Sequence, residues 1–177
     1  MRLGRKSLLF GCHQFIIHPV YVLWAWIRIS QLTGTKLTWK HWLLALIHDW
    51  GYWWCKMIDG PDGSAHSAWG ADLILRLTGD PWWYEEALCH SRFYAKRLGR
   101  PASNFCWVDK YSVALMPSWL WAGLAYLTGE GWEYLDNKTY EIHCPMPHTF
   151  ASLITKHKKL KQWTLATLSR YYGVEIK

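Results

Sequence analysis

The sequence holds no CxxC pair, and its five cysteines, Cys12, Cys55, Cys89, Cys106 and Cys144, are odd in number. That disfavours a disulfide framework and a thiolate zinc site, and favours a reducing compartment. No uncharged apolar stretch reaches the length of about 18 residues that spans a bilayer, so a transmembrane helix is not expected. The N-terminus puts basic residues before an apolar patch, as a signal peptide does. His13 and Gln14 break that patch, and no small-residue cleavage site follows. A cytoplasmic protein is the expectation. Internal repeats, low-complexity tracts and long linkers are also missing. One domain is therefore expected over residues 1–177, with a core at about 15–115 and a C-terminal helical extension at 116–177.

Apolar residues make up 51% of the 177 positions, enough for a substantial core. Tryptophan, at 15 residues, is far above ordinary usage. A crowded aromatic core is the default reading, ahead of a sticky surface or a membrane interface. The formal net charge of +7 attracts anions: phosphates, nucleic acid or acidic lipid. Basic residues cluster at Arg92, Lys96, Arg97 and Arg100, and again at Lys156, Lys158, Lys159 and Lys161. The second run reads as a solvated helix face.

Apolar spacing is helical nearly throughout and no strand pattern is convincing. The pattern predicts helices over about Pro19–Leu32, from Thr38 to the HD pair, Ala65–Leu77, Pro81 to near Gly99, Ala102–Leu115, Ser118–Leu127 and Thr149–Tyr172. Gly34, Gly51 and Gly79 serve as stops, Thr38 and Asp80 as N-caps. Residues 129–146 read as irregular. The fold class is all-α, a bundle of about six or seven helices.

Several ionisable residues interrupt this apolar background, each on a different predicted helix. His48 and Asp49 end the run LLALIHD, where burying them is costly without a partner or a metal. His18 opens the first helix; His66 follows a Gly-Asp loop; His90 lies in the fourth helix; Asp109 lies within FCWVDKYSVAL. A lone histidine of this kind is usually a hydrogen-bonded core residue. Several together resemble a site in a bundle core. His13 competes with His18 for the first position, and His18 is favoured because the helix follows it directly.

The order H…HD…H…H…D resembles the HD-domain superfamily of helical metal-dependent enzymes. HPVYVLWAW, LLALIHDWGYW, DGSAHSAWGADLIL, ALCHSRFYAK and FCWVDKYSVAL carry the resemblance, over about Phe15 to Leu115. It implies an HD-domain-like bundle holding two metal ions, with His18, His48, Asp49, His66, His90 and Asp109 as ligands. By the same resemblance Asp49 bridges the ions, His18, His48 and Asp109 serve one, and His66 and His90 the other. His48, Asp49, His66 and His90 are then the catalytic set. Several two-metal members carry a lysine in the slot filled here by Tyr52.

A mixed imidazole and carboxylate set suits manganese, iron, cobalt, nickel or zinc. The expected function is a phosphohydrolase acting on a nucleotide or another small phosphate ester. Arg92 and Lys96, four apart on one helix face, are candidates to bind the anionic substrate, as are Lys110 and Tyr52. The alternatives are a dinuclear iron oxygenase with the same ligands, or a non-catalytic binding protein stabilised by its metal. Nucleic acid is an optional partner, and a homo-oligomer is compatible with the sequence.

Overall fold

A computed structural model describes residues 1–60, 62–136 and 146–176. Among the described residues there are ten α-helices and no strand. They are α1 (Leu3–Phe10), α2 (Ile17–Thr33), α3 (Trp39–Ile47), α4 (His66–Thr78), α5 (Pro81–Leu88), α6 (Arg92–Arg97), α7 (Asn104–Leu115), α8 (Ser118–Thr128), α9 (Glu130–Asp136) and α10 (Phe150–Tyr172). Short 3₁₀ turns occupy Trp50–Trp54 and Gly63–Ala65.

Most helix ends follow the expected chemistry. Thr38 precedes α3 and donates its backbone N–H to His41 Nδ1 at 3.0 Å. Asp80 caps α5 by accepting from the Trp82 amide, and Ser103 caps α7 by accepting from the Cys106 amide. The helices α2 and α4 end at Gly34 and Gly79, both with positive φ.

Three expectations need correction. The signal-like N-terminus is a helix, α1, packed against the 3₁₀ turn at Trp50–Trp54, with Leu8 buried between them. The stretch 129–146 begins with α9, and its residues 137–145 lie outside the described residues. The helix expected from Pro81 to near Gly99 is broken at Cys89–Ser91. There the Cys89 carbonyl accepts from the Ser103 amide, and the Ser91 hydroxyl donates to the Ser64 carbonyl. Those tertiary bonds replace helical ones, and the break is where His90 sits.

The main core lies between α2, α3, α4, α5 and α7, around Trp26, Leu44, Ile74 and Phe105. A second cluster joins α8, α9 and α10 around Trp121, Leu135 and Leu153. The crowded aromatic core accounts for only part of the tryptophan. Trp26, Trp83 and Trp121 are buried, while more than half of the 15 are exposed.

His157 fastens α10 to its neighbours. Its Nε2 donates to the Val113 carbonyl at 2.9 Å, so Nδ1 accepts from the Ser118 hydroxyl at 3.0 Å. Its ring stacks on Trp121 at 5.0 Å. Burial holds its pKa down at about 4, against an ordinary value of 6.5. The unfolded chain therefore takes up this proton first as the pH falls. The stabilisation is complete above about pH 6.5 and is lost progressively toward about pH 4, amounting to about 3 kcal/mol. We expect His157→Gln to be less stable at neutral pH and to lose less on acidification than the parent. Urea midpoints at neutral pH and near pH 4.5 check this, and parallel losses in the two proteins would contradict it.

Candidate metal centre

Six side chains from five places in the chain meet in one cluster. His18 is in the first turn of α2, and His48 and Asp49 follow the end of α3. His66 begins α4, His90 lies in the break between α5 and α6, and Asp109 is on α7. His18, His48, Asp49 and His90 are buried, while His66 and Asp109 are partly exposed.

The donor atoms fall into two groups that share one carboxylate. Asp49 Oδ2 lies 3.1 Å from His18 Nε2 and 3.2 Å from His48 Nε2. Asp109 Oδ1 completes that group, 3.2 Å from His18 Nε2 and 3.7 Å from His48 Nε2. Asp49 Oδ1 faces the other way, 3.4 Å from His66 Nε2 and 3.8 Å from His90 Nε2. The latter two nitrogens are 3.0 Å apart. The structure thus brings together all six predicted residues.

Backbone carbonyls determine which ring nitrogens point inward as bases. His48 Nδ1 lies 3.1 Å from the Ala45 carbonyl, His66 Nδ1 2.6 Å from that of Gly63, and His90 Nδ1 2.5 Å from that of Ala87. A carbonyl only accepts, so each Nδ1 carries a proton and each Nε2 is the atom turned to the centre. Metal-ligating histidines are oriented in this way. Asp49 Oδ2 is buried and, despite its two close nitrogens, makes no hydrogen bond of acceptable geometry. Ring nitrogens and carboxylate oxygens packed this closely repel unless a proton or a cation sits among them. The cluster is therefore compatible with a metal site: His18, His48 and Asp109 form one group with donor atoms within 4.8 Å of one another, and His48, Asp49 and His90 form a second.

The electrostatics agree. Burial alone would raise the pKa of Asp49, but the facing His48, His18 and His66 hold it well below the ordinary carboxylate value. Asp109 is likewise held low by His18 and His48 against burial. Burial pushes His90 down to about 4, so it is neutral at physiological pH. Burial would lower His48 as well, yet Asp49 and Asp109 push it up to about 10. Two ionised carboxylates, Asp49 buried and Asp109 partly so, thus draw positive charge to this spot.

A cavity of about 540 Å³ opens beside the cluster, the size of a small-molecule site. Arg92, Lys96 and Lys110 line it, as does Tyr52. Arg97, which shares a helix face with His90 in the sequence, is exposed and is not part of the lining. Tyr52 lies flat against His66, with ring centres 4.0 Å apart at 10°, and His13 sits 4.6 Å away. One face of its ring is therefore covered by His66, while the side chain still lines the cavity.

Two features escaped the sequence reading. Lys156 is buried and lines the cavity, whereas Lys158, Lys159 and Lys161 are exposed as expected. Helical spacing from Leu153 through Leu160 to Leu168 puts Lys156 beside the apolar stripe, and that was the available signal. His13 is not a member of the cluster. It bonds to Ser7 at 2.8 Å and approaches buried Glu130 at 3.6 Å. Burial would lower its pKa, but the Glu130 bond and the charge of Asp49 raise it to about 9. No local pattern pairs His13 with a carboxylate so far along the chain.

No family model, curated protein or solved structure matches the chain. Among the described residues, no helix is long and apolar enough to cross a membrane.

Proposed function

We propose that His18, His48, Asp49, His66, His90 and Asp109 hold two divalent transition-metal ions, and that the protein is an HD-type hydrolase of small phosphate esters, nucleotides among them. The observation that carries this reading is the division of the donors around the two oxygens of Asp49. When bound, such a pair of ions supplies a hydroxide near neutral pH and offsets charge on a phosphoryl group. The protein contributes four imidazoles, three of them oriented by carbonyls, and two carboxylates kept ionised. Arg92, Lys96, Lys110 and Lys156 surround the adjoining cavity and favour an anion there.

That cationic lining favours the hydrolase over the iron oxygenase and the non-catalytic reading. The test is phosphate release from nucleotides and phosphodiesters with manganese present. Oxygen uptake by the iron-loaded protein, with no phosphate release from any ester, would assign the site to oxygen chemistry instead. A cytoplasmic location belongs to the same proposal. It is supported by the four described cysteines, all buried and free.

The cavity cations give a second expectation. Arg92→Ala and Lys156→Met should each lower kcat/KM by on the order of 1.5–3 kcal/mol, as for a lost charged hydrogen bond. Bound metal should stay at the parent level, because neither side chain is a ligand. Lys158→Glu, on the exposed side of α10, should leave turnover unchanged. Parent kinetics in both cavity variants would remove these side chains from the substrate site.

A further inference from the structure

We propose that the outer face of α2, α3 and the Trp50–Trp54 turn is a docking surface for an anionic lipid membrane. The inference does not depend on the metal reading.

Each helix here has a core side and an apolar outer side. On α2 the core takes Val22, Ala25, Trp26 and Ile29, yet Val20, Trp24 and Ile27 remain exposed, continuing from Ile16 just before the helix. These positions follow helical spacing and form one stripe. On α3 the core takes Leu44, Ala45 and Ile47, yet Trp39, Trp42 and Leu46 remain exposed. The two helices pack on each other. At one end Phe15 meets Trp50 edge-on at 5.8 Å, and Trp50 stacks on exposed Trp69 at 6.0 Å. Trp54 is exposed beyond them, with Arg5 5.9 Å from its ring. Phe15 and Trp50 thus link the start of the α2 stripe to the end of α3, and the exposed apolar residues on these neighbouring helices are too many to be scattered singly.

Charge selects the occupant. Residues 1–48 carry Arg2, Arg5, Lys6, Arg28, Lys36 and Lys40 and not one Asp or Glu. The first carboxylate is Asp49, which is buried in the cluster. Lys40 is answered by Asp80 at 2.6 Å from the start of α5, while Arg28 and Lys36 are exposed. A second copy meeting the same face would bring like charges together. Nucleic acid would satisfy the cations but offers no apolar phase to Ile16, Val20 and Leu46. An anionic bilayer satisfies both. Indole rings settle at the headgroup level, aliphatic side chains reach the acyl boundary, and Lys and Arg meet lipid phosphates. The protein would lie on the surface, since no described helix can cross it.

The test is sedimentation of the purified full chain with sucrose-loaded vesicles. One set is phosphatidylcholine alone and the other is phosphatidylcholine mixed with phosphatidylglycerol. We expect binding to the anionic vesicles, weakened by salt and much weaker without phosphatidylglycerol. Trp39→Gln combined with Trp42→Gln should lower partitioning by about tenfold or more. Trp119→Gln, at an exposed tryptophan on α8, should not change it. Circular dichroism establishes that the variants are folded, and a misfolded pair is replaced by Val20→Gln with Trp24→Gln. No binding to anionic vesicles would overturn the proposal, whether or not light scattering then shows self-association. Equal binding by parent and double variant, or equal loss in the Trp119 variant, would also overturn it.

Discussion

Asp49→Ala is expected to empty the centre of both ions and to abolish turnover. The reason is geometric: Oδ2 faces His18 and His48, and Oδ1 faces His66 and His90. Among the described residues no other carboxylate reaches both groups, because Asp109 contacts only His18 and His48 among the cluster nitrogens. Removing Asp49 leaves one group with two imidazoles and Asp109, and the other with two imidazoles alone. Asp49→Asn keeps the side-chain shape and removes the charge, so it separates metal loss from local collapse. His66→Ala should differ from both, losing chiefly one ion while His18, His48, Asp49 and Asp109 keep the other. Elemental analysis of the three variants reads this pattern directly. Parent metal content in Asp49→Ala would end the bridging assignment.

Gly51→Ala should be the most damaging small substitution near the site. A Cβ at Gly51 would lie 1.9 Å from the His66 carbonyl oxygen and 2.9 Å from the His66 Cα. These are backbone atoms at the start of α4, so the turn after Asp49 and the helix carrying His66 would have to separate. Overpacking against backbone of this kind costs about 3 kcal/mol. The same separation moves His66 away from Asp49, so the His66–His90 group should lose its ion before the other group does. Urea unfolding and metal content together check this. A variant as stable as the parent that retained both ions would show that the turn and α4 are less closely apposed than described. Gly70 plays the matching role from the other side, where an added Cβ would lie 2.7 Å from the His48 carbonyl oxygen.

The helical fold was legible because apolar periodicity, caps and glycine stops agree locally, as at Thr38, Asp80 and Gly79. The break before α6 was not legible. It depends on the Cys89 carbonyl pairing with the Ser103 amide and on Ser91 reaching Ser64, which are tertiary bonds with no local pattern. The six clustered residues were legible as ionisable interruptions in apolar helices, and the HD resemblance supplied their order. Their close convergence could come only from coordinates. The stacking of Tyr52 on His66 was not legible, because nothing in WGYW tells which ring will cover its face. Lys156 was hidden in a run of lysines whose other members are solvated. The exposed tryptophans were hidden by the general preference of aromatics for cores, which Trp26 and Trp83 follow and Trp39 and Trp42 do not.

The central claim is a two-ion centre bridged by Asp49. The measurement that bears on it most directly is the metal-to-protein ratio after loading with manganese and desalting. The account predicts two ions per chain in the parent, about one in His66→Ala and none in Asp49→Ala. A parent protein that retains no metal, under conditions in which it remains folded, would contradict it.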